Sequence, residues 1–231
     1  MSEIRSIFNR IAPVYDQLND TLSFGQHRIW KEMTVKWSAA KTGDTCLDLC
    51  CGSGDLAFRM ARKVGTIGKV EAVDFSSELL EVAKGRSKDY YPTPSISWIE
   101  ADVLELPFDD NQFDAATMGY GLRNVTDIPL CLKELHRVLK VGATSAILDF
   151  HRPENTLMRG FQQWYLDNLV VPAATQMGLK EEYAYINPSL ERFPLGKEQI
   201  KIAREVGFVN VVHYPIANGM MGVLVVTKDR S

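Results

Sequence analysis

The sequence predicts an α/β fold: an open, mostly parallel β-sheet with helices on both faces. Three observations carry that expectation. Short apolar runs alternate with amphipathic segments between residues 45 and 150, the pattern of repeated strand–helix units. The first run, 45–50, ends in a glycine turn, Gly52-Ser53-Gly54, and a helical pattern follows. The next run, 69–74, ends in an acid, Asp74. Strand, glycine turn, helix, strand and acid form the first half of a nucleotide-type site. Glycines let the backbone approach a ligand closely, and the acid accepts hydrogen bonds from ribose hydroxyls.

Taken in order, residues 2–11 and 26–38 read as helices joined by 18–24. Strands follow near 45–50, 69–74, 96–101, 113–118 and 144–150. Helices fall near 55–64, 77–87 and 127–139, with Asp55 and Ser76 or Ser77 as caps for the first two. Ile128, Leu132, Leu135 and Leu139 lie on one apolar face of the third. After Phe150 the pattern becomes helical: Leu157, Phe161, Trp164, Tyr165 and Leu169 mark a helix over 156–171, and another spans 196–206. Two last strands, 209–214 and 221–227, flank Asn218-Gly219, a hairpin turn pair. A hairpin turns the last strand antiparallel. Seven strands, mostly parallel with the last reversed, is the topology of class I methyltransferases. The expected organisation is one domain over 1–231: an N-terminal helical lid (1–40), a cofactor-binding core (41–150), a helical insertion (151–207) and a terminal hairpin (208–231).

Composition sets bounds on function. The chain has 231 residues, 45% hydrophobic and 24% charged, enough for a large core. Its net charge of −3 argues against a nucleic-acid footprint, which needs clustered basic residues. The cysteines, Cys46, Cys50, Cys51 and Cys131, include no C-x-x-C pair. They read as packing residues of a reducing compartment, and no metal site is expected. No secretory signal and no bilayer-spanning apolar run are read.

The glycine turn admits two readings. Gly52 to Ala57 fits G-x-G-x-x-A, and Asp74 lies 20 residues past Gly54, as in a dinucleotide site. An NAD(P) oxidoreductase is therefore one candidate. Three features favour S-adenosylmethionine instead. Asp48 precedes the glycines, where a carboxylate suits an ammonium and repels a pyrophosphate. Asp102 and Val103 end the third strand, placed to receive an adenine amino group and flank its ring. The stretches 106–108 and 112–114 match the loop and fourth-strand entry of methyltransferases. The expected cofactor set is Asp48, Gly52, Ser53, Gly54, Asp74, Phe75, Asp102, Val103 and Gly119, at the carboxyl ends of successive strands.

Further segments carry a closer likeness: 8–16 (FNRIAPVYD), 22–31 (LSFGQHRIWK), 121–127 (GLRNVTD), 135–140 (LHRVLK) and 185–190 (YINPSL). With them the chain resembles the quinone-pathway C-methyltransferases of ubiquinone and menaquinone synthesis over nearly its whole length. The stretch 48–57 (DLCCGSGDLA) and the ending 221–224 (MGVL) are similar to the oxygenic-phototroph branch. The resemblance implies S-adenosylmethionine-dependent C-methylation of a reduced prenylated naphthoquinol, demethylphylloquinol. A prenylated benzoquinol or demethylmenaquinol is the alternative substrate, and a non-catalytic S-adenosylmethionine-binding scaffold is a further reading. The implied setting is the cytoplasm of a cyanobacterium-like host or a plastid, with peripheral membrane contact and a homodimer as possible associations.

Transfer to a ring carbon needs the electron-rich quinol. A phenol ionises near pH ~10, so a base or a nearby cation must help. Arg123, just past the fourth strand, is expected to polarise a water or the phenolate, since its own pKa above ~12 makes it a poor base. Pairing with Asp127 is its structural alternative. Asn124 is expected to orient substrate or shape the turn. His151, just past the fifth strand, is the candidate base. Tyr15, Tyr120 and Trp164 are candidate borders of the quinol, and the 157–171 stripe is a candidate wall for the prenyl tail.

Overall fold

The computed structural model describes residues 25–89, 95–176 and 186–229. The expected helix at 2–11, the join at 18–24 and Tyr15 lie outside the described residues. In chain order the elements are α1 (His27–Trp37), β1 (Thr45–Leu49), α2 (Asp55–Val64), β2 (Lys69–Asp74), α3 (Ser77–Ser87), β3 (Ile96–Glu100) and β4 (Phe113–Gly119). They continue with α4 (Ile128–Val138), β5 (Leu139–Phe150), α5 (Thr156–Tyr165), α6 (Val171–Gln176), α7 (Ile186–Arg192), α8 (Gly196–Val206), β6 (Phe208–Ile216) and β7 (Met221–Lys228). A π-helical turn, Leu166–Val170, joins α5 to α6.

The seven strands form one sheet in the order β3-β2-β1-β4-β5-β7-β6. β3, β2, β1, β4 and β5 pair in parallel. β7 slots between β5 and β6 and pairs antiparallel with both. Chain order reverses between β1 and β4, so their carboxyl ends open a crevice, the place where open α/β sheets bind ligands. β1 has the continuous buried pattern of a central parallel strand: Cys46, Leu47, Asp48 and Leu49 are all buried. One core packs Leu47, Leu49, Met118 and Ile147 beneath α4 and its Leu132 and Leu135. On the other side Cys46, Ala72 and Ala115 meet Ala57 and Met60 of α2 and Val35 of α1.

Local chemistry moves three expected boundaries. Asp55 is not a cap: Gly54 precedes α2 with φ 92°, and Asp55 is the first helical residue. Ser76 does cap α3, accepting from the Leu79 N–H at 3.2 Å. Leu139 leaves the helix for an extended conformation and pairs with Phe113, so β5 begins five residues before the expected 144. The hairpin joins β6 and β7 through Ala217, Asn218 and Gly219, all at positive φ, a wider turn than Asn-Gly alone. The cysteines are free, and burial pushes their thiols up, Cys46 and Cys131 to about 12. Among the described residues no helix is long and apolar enough to cross a membrane.

Candidate active site

The glycine turn is held by backbone groups alone on one side and by an acid on the other. Cys51 donates to Val73 O at 2.9 Å, and the Gly54 N–H closes the turn on Cys51 O at 2.9 Å. Asp74 then locks it from β2: Oδ2 accepts the Gly52 N–H at 2.8 Å and Oδ1 the Ser76 N–H at 2.9 Å. Burial raises the Asp74 pKa to about 6, with those N–H donors pulling the other way. A side chain at Gly54 would be disfavoured on two counts: its φ is left-handed, and a Cβ there would sit 2.6 Å from Trp98 Cη2.

Across the crevice, the end of β4 is just as constrained. Tyr120 adopts φ 61° and Cys50, at the end of β1, φ 50°, both unusual for residues with side chains. Such strain gathers where a site demands a particular backbone. The Tyr120 N–H bonds Leu148 O at 2.8 Å, and its ring rests 5.3 Å from that of Phe150. Gly121 passes so close to β1 that a Cβ would fall 2.5 Å from the Cys50 Cβ.

Between these two turns runs a cleft. Of the expected residues, Gly52, Asp74, Phe75, Asp102, Val103, Gly119, Tyr120 and Asn124 line it. Cys50, Leu79, Leu104, Gly121, Val125 and Thr126 line it as well and were not anticipated. Ser53 and Gly54 shape the turn from behind. Asp48 lies beneath it, wholly buried. Thr117, its cross-strand neighbour on β4, donates to Asp48 Oδ1 at 2.7 Å, and Oδ2 has no aligned hydrogen bond. Burial raises Asp48 to about 7, against the pull of Thr117 and the Ala57 N–H. A buried carboxylate oxygen without an aligned donor fits a cationic ligand group. Asp102 at the cleft's far side uses Oδ1 to accept the Leu104 N–H at 3.0 Å, which fixes the loop after β3.

Arg123 sits in the single 3-10 turn that follows Gly121. It does not pair with Asp127, whose side chain caps α4 at the Leu130 N–H. Its partner is Asp149 of β5, 1% exposed: the Arg123 N–H bonds Asp149 Oδ2 at 3.0 Å, and the guanidinium Nε stands 3.2 Å from Oδ1 without hydrogen-bond alignment. Nη1 donates to Ser189 Oγ of α7 at 2.6 Å and to Asn124 Oδ1 at 3.2 Å. Asn124 in turn donates to Tyr120 O at 3.0 Å. Burial raises Asp149 to about 6, with Arg123 opposing. The guanidinium is thus aimed by three elements, β5, the β4 turn and α7.

The structure places His151 apart from the cleft. It is buried, its ring against Phe193 and its Nε2 3.2 Å from His213 Nε2. Burial, with His213 beside it, pushes its pKa down to about 3. His213 itself is wedged where Cβ atoms on Gly196 or Gly222 would approach its ring within 2.4 Å. A base for neutral pH needs access and a pKa near 7, and His151 has neither in this arrangement. Trp164 is 53% exposed on α5 and does not line the cleft. Among the described residues no cluster of three or more His, Cys, Asp or Glu has the geometry to hold a metal.

Residues 1–228 match the ubiE/COQ5 methyltransferase family. The chain belongs to that family. One relative, the 2-phytyl-1,4-naphtoquinone methyltransferase of Nostoc punctiforme, is 74% identical over 227 residues, 98% of this chain and 99% of its own length. The chloroplastic 2-phytyl-1,4-beta-naphthoquinone methyltransferase of Arabidopsis thaliana is 53% identical, covering 98% of this chain and 88% of its own. Among solved structures, a SAM dependent methyltransferase from Aquifex aeolicus superposes with a TM-score of 0.67 at 19% identity, covering 92% of this chain and 97% of its own. The ubiE/COQ5 membership and this fold make the chain a class I methyltransferase.

Proposed function

We propose that this methyltransferase transfers the methyl group of S-adenosylmethionine to a ring carbon of reduced 2-phytyl-1,4-naphthoquinone. The observation that carries the substrate is near full-length identity of 74% with a relative of that name. Bound S-adenosylmethionine supplies an electrophilic methyl on a cationic sulfur and leaves as S-adenosylhomocysteine.

The residues divide the remaining work. Asp74 presents carboxylate oxygens at the cleft for ribose hydroxyls, Asp102 and Val103 flank the adenine position, and Asp48 faces the ammonium. Gly52 and Gly119 keep the cleft free of side chains between the two strand ends. Arg123 holds positive charge toward the acceptor hydroxyl, favouring the phenolate that pushes electrons into the ring. Asn124 fixes that guanidinium relative to the Tyr120 carbonyl, and Tyr120 walls the acceptor side. Holding the ring in line with the methyl group is the larger contribution, since positioning alone is worth roughly 7 kcal/mol or more.

The apolar side chains Leu157, Phe161 and Trp164 of α5 are 82%, 48% and 53% exposed at helical spacing. In this reading they rest on the bilayer holding the phytyl substrate. The compartment that goes with it is that of an oxygenic phototroph, cyanobacterial cytoplasm or plastid.

The test mixes purified protein and S-adenosylmethionine with demethylated phytylnaphthoquinone, reduced or oxidised, and with a reduced prenylated benzoquinone. Mass spectrometry should show a methylated naphthoquinol only from the reduced form. Methylation of the benzoquinol instead would refute the substrate assignment. Flotation with lipid vesicles should lift the wild-type chain and leave a Phe161→Ser, Trp164→Ser variant behind.

A further inference from the structure

Two buried groups of opposite sign, Lys31 and Asp48, lie beside the glycine turn, and each keeps hydrogen-bonding capacity that no aligned partner among the described residues takes up. Lys31 of α1 is 3% exposed. Its ammonium carries three N–H donors. One goes to Asp55 Oδ2 at 2.6 Å, and the nitrogen stands 5.7 Å from the ring centre of Tyr120, which lines the cleft. No other acceptor meets it among the described residues. Asp55 does not depend on Lys31 alone, because its Oδ1 takes Arg86 at 2.7 Å. Asp48, on the same face of the sheet, is 0% exposed with Oδ2 lacking an aligned donor. Leaving charged donors and acceptors buried and unused is costly. The cleft lining itself offers no lysine or arginine.

A zwitterion with an ammonium and a carboxylate on one carbon supplies what each of these groups lacks. We propose that Lys31 binds the α-carboxylate of S-adenosylmethionine while Asp48 faces its ammonium, so that α1 and β1 together clamp the amino-acid end of the donor. This rests on the methyl-donor reading above and extends it to a residue outside the cleft lining. Lys31 then has two alternating carboxylate partners, Asp55 and the ligand, while Arg86 keeps Asp55 satisfied throughout. α1 is thereby tied to donor binding, and the Tyr120 wall that Lys31 faces is tied with it.

The test compares the binding of S-adenosylmethionine and decarboxylated S-adenosylmethionine by calorimetry, with no acceptor present. Wild-type protein should prefer the carboxylate form by about tenfold or more, the worth of a charged hydrogen bond. Lys31→Met should bring the two ligands within about twofold, and Lys31→Arg should keep most of the preference. An undiminished preference in Lys31→Met, equal losses for both ligands included, would overturn the assignment. So would a wild-type chain that binds both forms equally well, a result that needs no variant to fold. Failure of the wild-type chain to bind either form would instead overturn the methyl-donor reading, and this proposal with it.

Discussion

Donor affinity should depend on pH through Asp48. Burial holds this carboxyl at about 7 in the free protein. Only its ionised form attracts an ammonium. Between pH 7 and 5.5 the ionised share falls from about one half to a few per cent, so affinity should weaken by roughly tenfold. The window stops at pH 7 because an α-amino group begins to lose its proton near pH ~8. Calorimetry in two buffers of different ionisation enthalpy should show close to one proton released per ligand at pH 6. Asp48→Asn should bind weakly at pH 7, near the wild-type level at pH 5.5, with the slope removed. The linked stability has a defined sign. Asp48 is raised from 3.8 in the unfolded chain, so its contribution is complete below that value and is lost as pH rises through about 7. Donor should therefore raise the melting temperature more at pH 7 than at pH 5.5. A flat affinity in the wild type, or an identical slope in Asp48→Asn, would refute the role given to this carboxylate.

Arg123→Ala should lower kcat by about 10²-fold or more while donor affinity changes only a few-fold; equal loss of both would count against an electrostatic role. Gly121→Ala places a Cβ 2.5 Å from the Cys50 Cβ, a clash costing about 1–3 kcal/mol and several degrees of melting temperature. Adding Cys50→Gly removes that atom and suits the positive φ at 50, so the double variant should recover; no recovery would sink the contact. His151 is lowered from 6.5 to about 3, so its stabilising effect is complete above pH 6.5 and fades as pH falls. At pH 5.5 the loss is on the order of 1 kcal/mol, and His151→Gln should show a smaller melting-temperature drop between pH 7.5 and 5.5 than wild type.

The sheet was legible because its strands are short, buried and punctuated by glycine and acid. That Gly52, Asp74, Asp102 and Gly119 share one cleft was legible for the same reason: they lie at or just past strand ends, and the topology brings strand ends together. What sequence spacing could not supply were contacts between elements far apart in the chain. Arg123 was matched with Asp127 because four residues is a helical neighbour distance. The actual partner, Asp149, is 26 residues away and reaches it because β4 and β5 pair in parallel. Asp149 nevertheless left a trace, an acid in an apolar strand, the same signal that singled out Asp48. His151 read as open to the site because it follows a strand. The packing of Gly222 and Phe193 against the His151–His213 pair closes it in, and a glycine in a strand gave the only hint of that close approach.

The two sides of the cleft are built from different materials, and that difference assigns specificity. The glycine-turn side is backbone and strand ends, with left-handed backbone at Cys50, Gly52, Gly54 and Tyr120 and a close approach of Gly54 to Trp98. Such a surface has little freedom to change its ligand. The Arg123 turn beyond β4 hangs on side chains from separate elements, with Ser189 of α7 and Asp149 of β5 holding the guanidinium. Substitutions there can move the guanidinium without touching the glycine turn. In the proposed reading, discrimination between naphthoquinol and benzoquinol rings belongs to the Arg123 turn and to α5 and α7. Exchanging that segment between family members of different substrate should transfer acceptor preference and leave donor affinity in place.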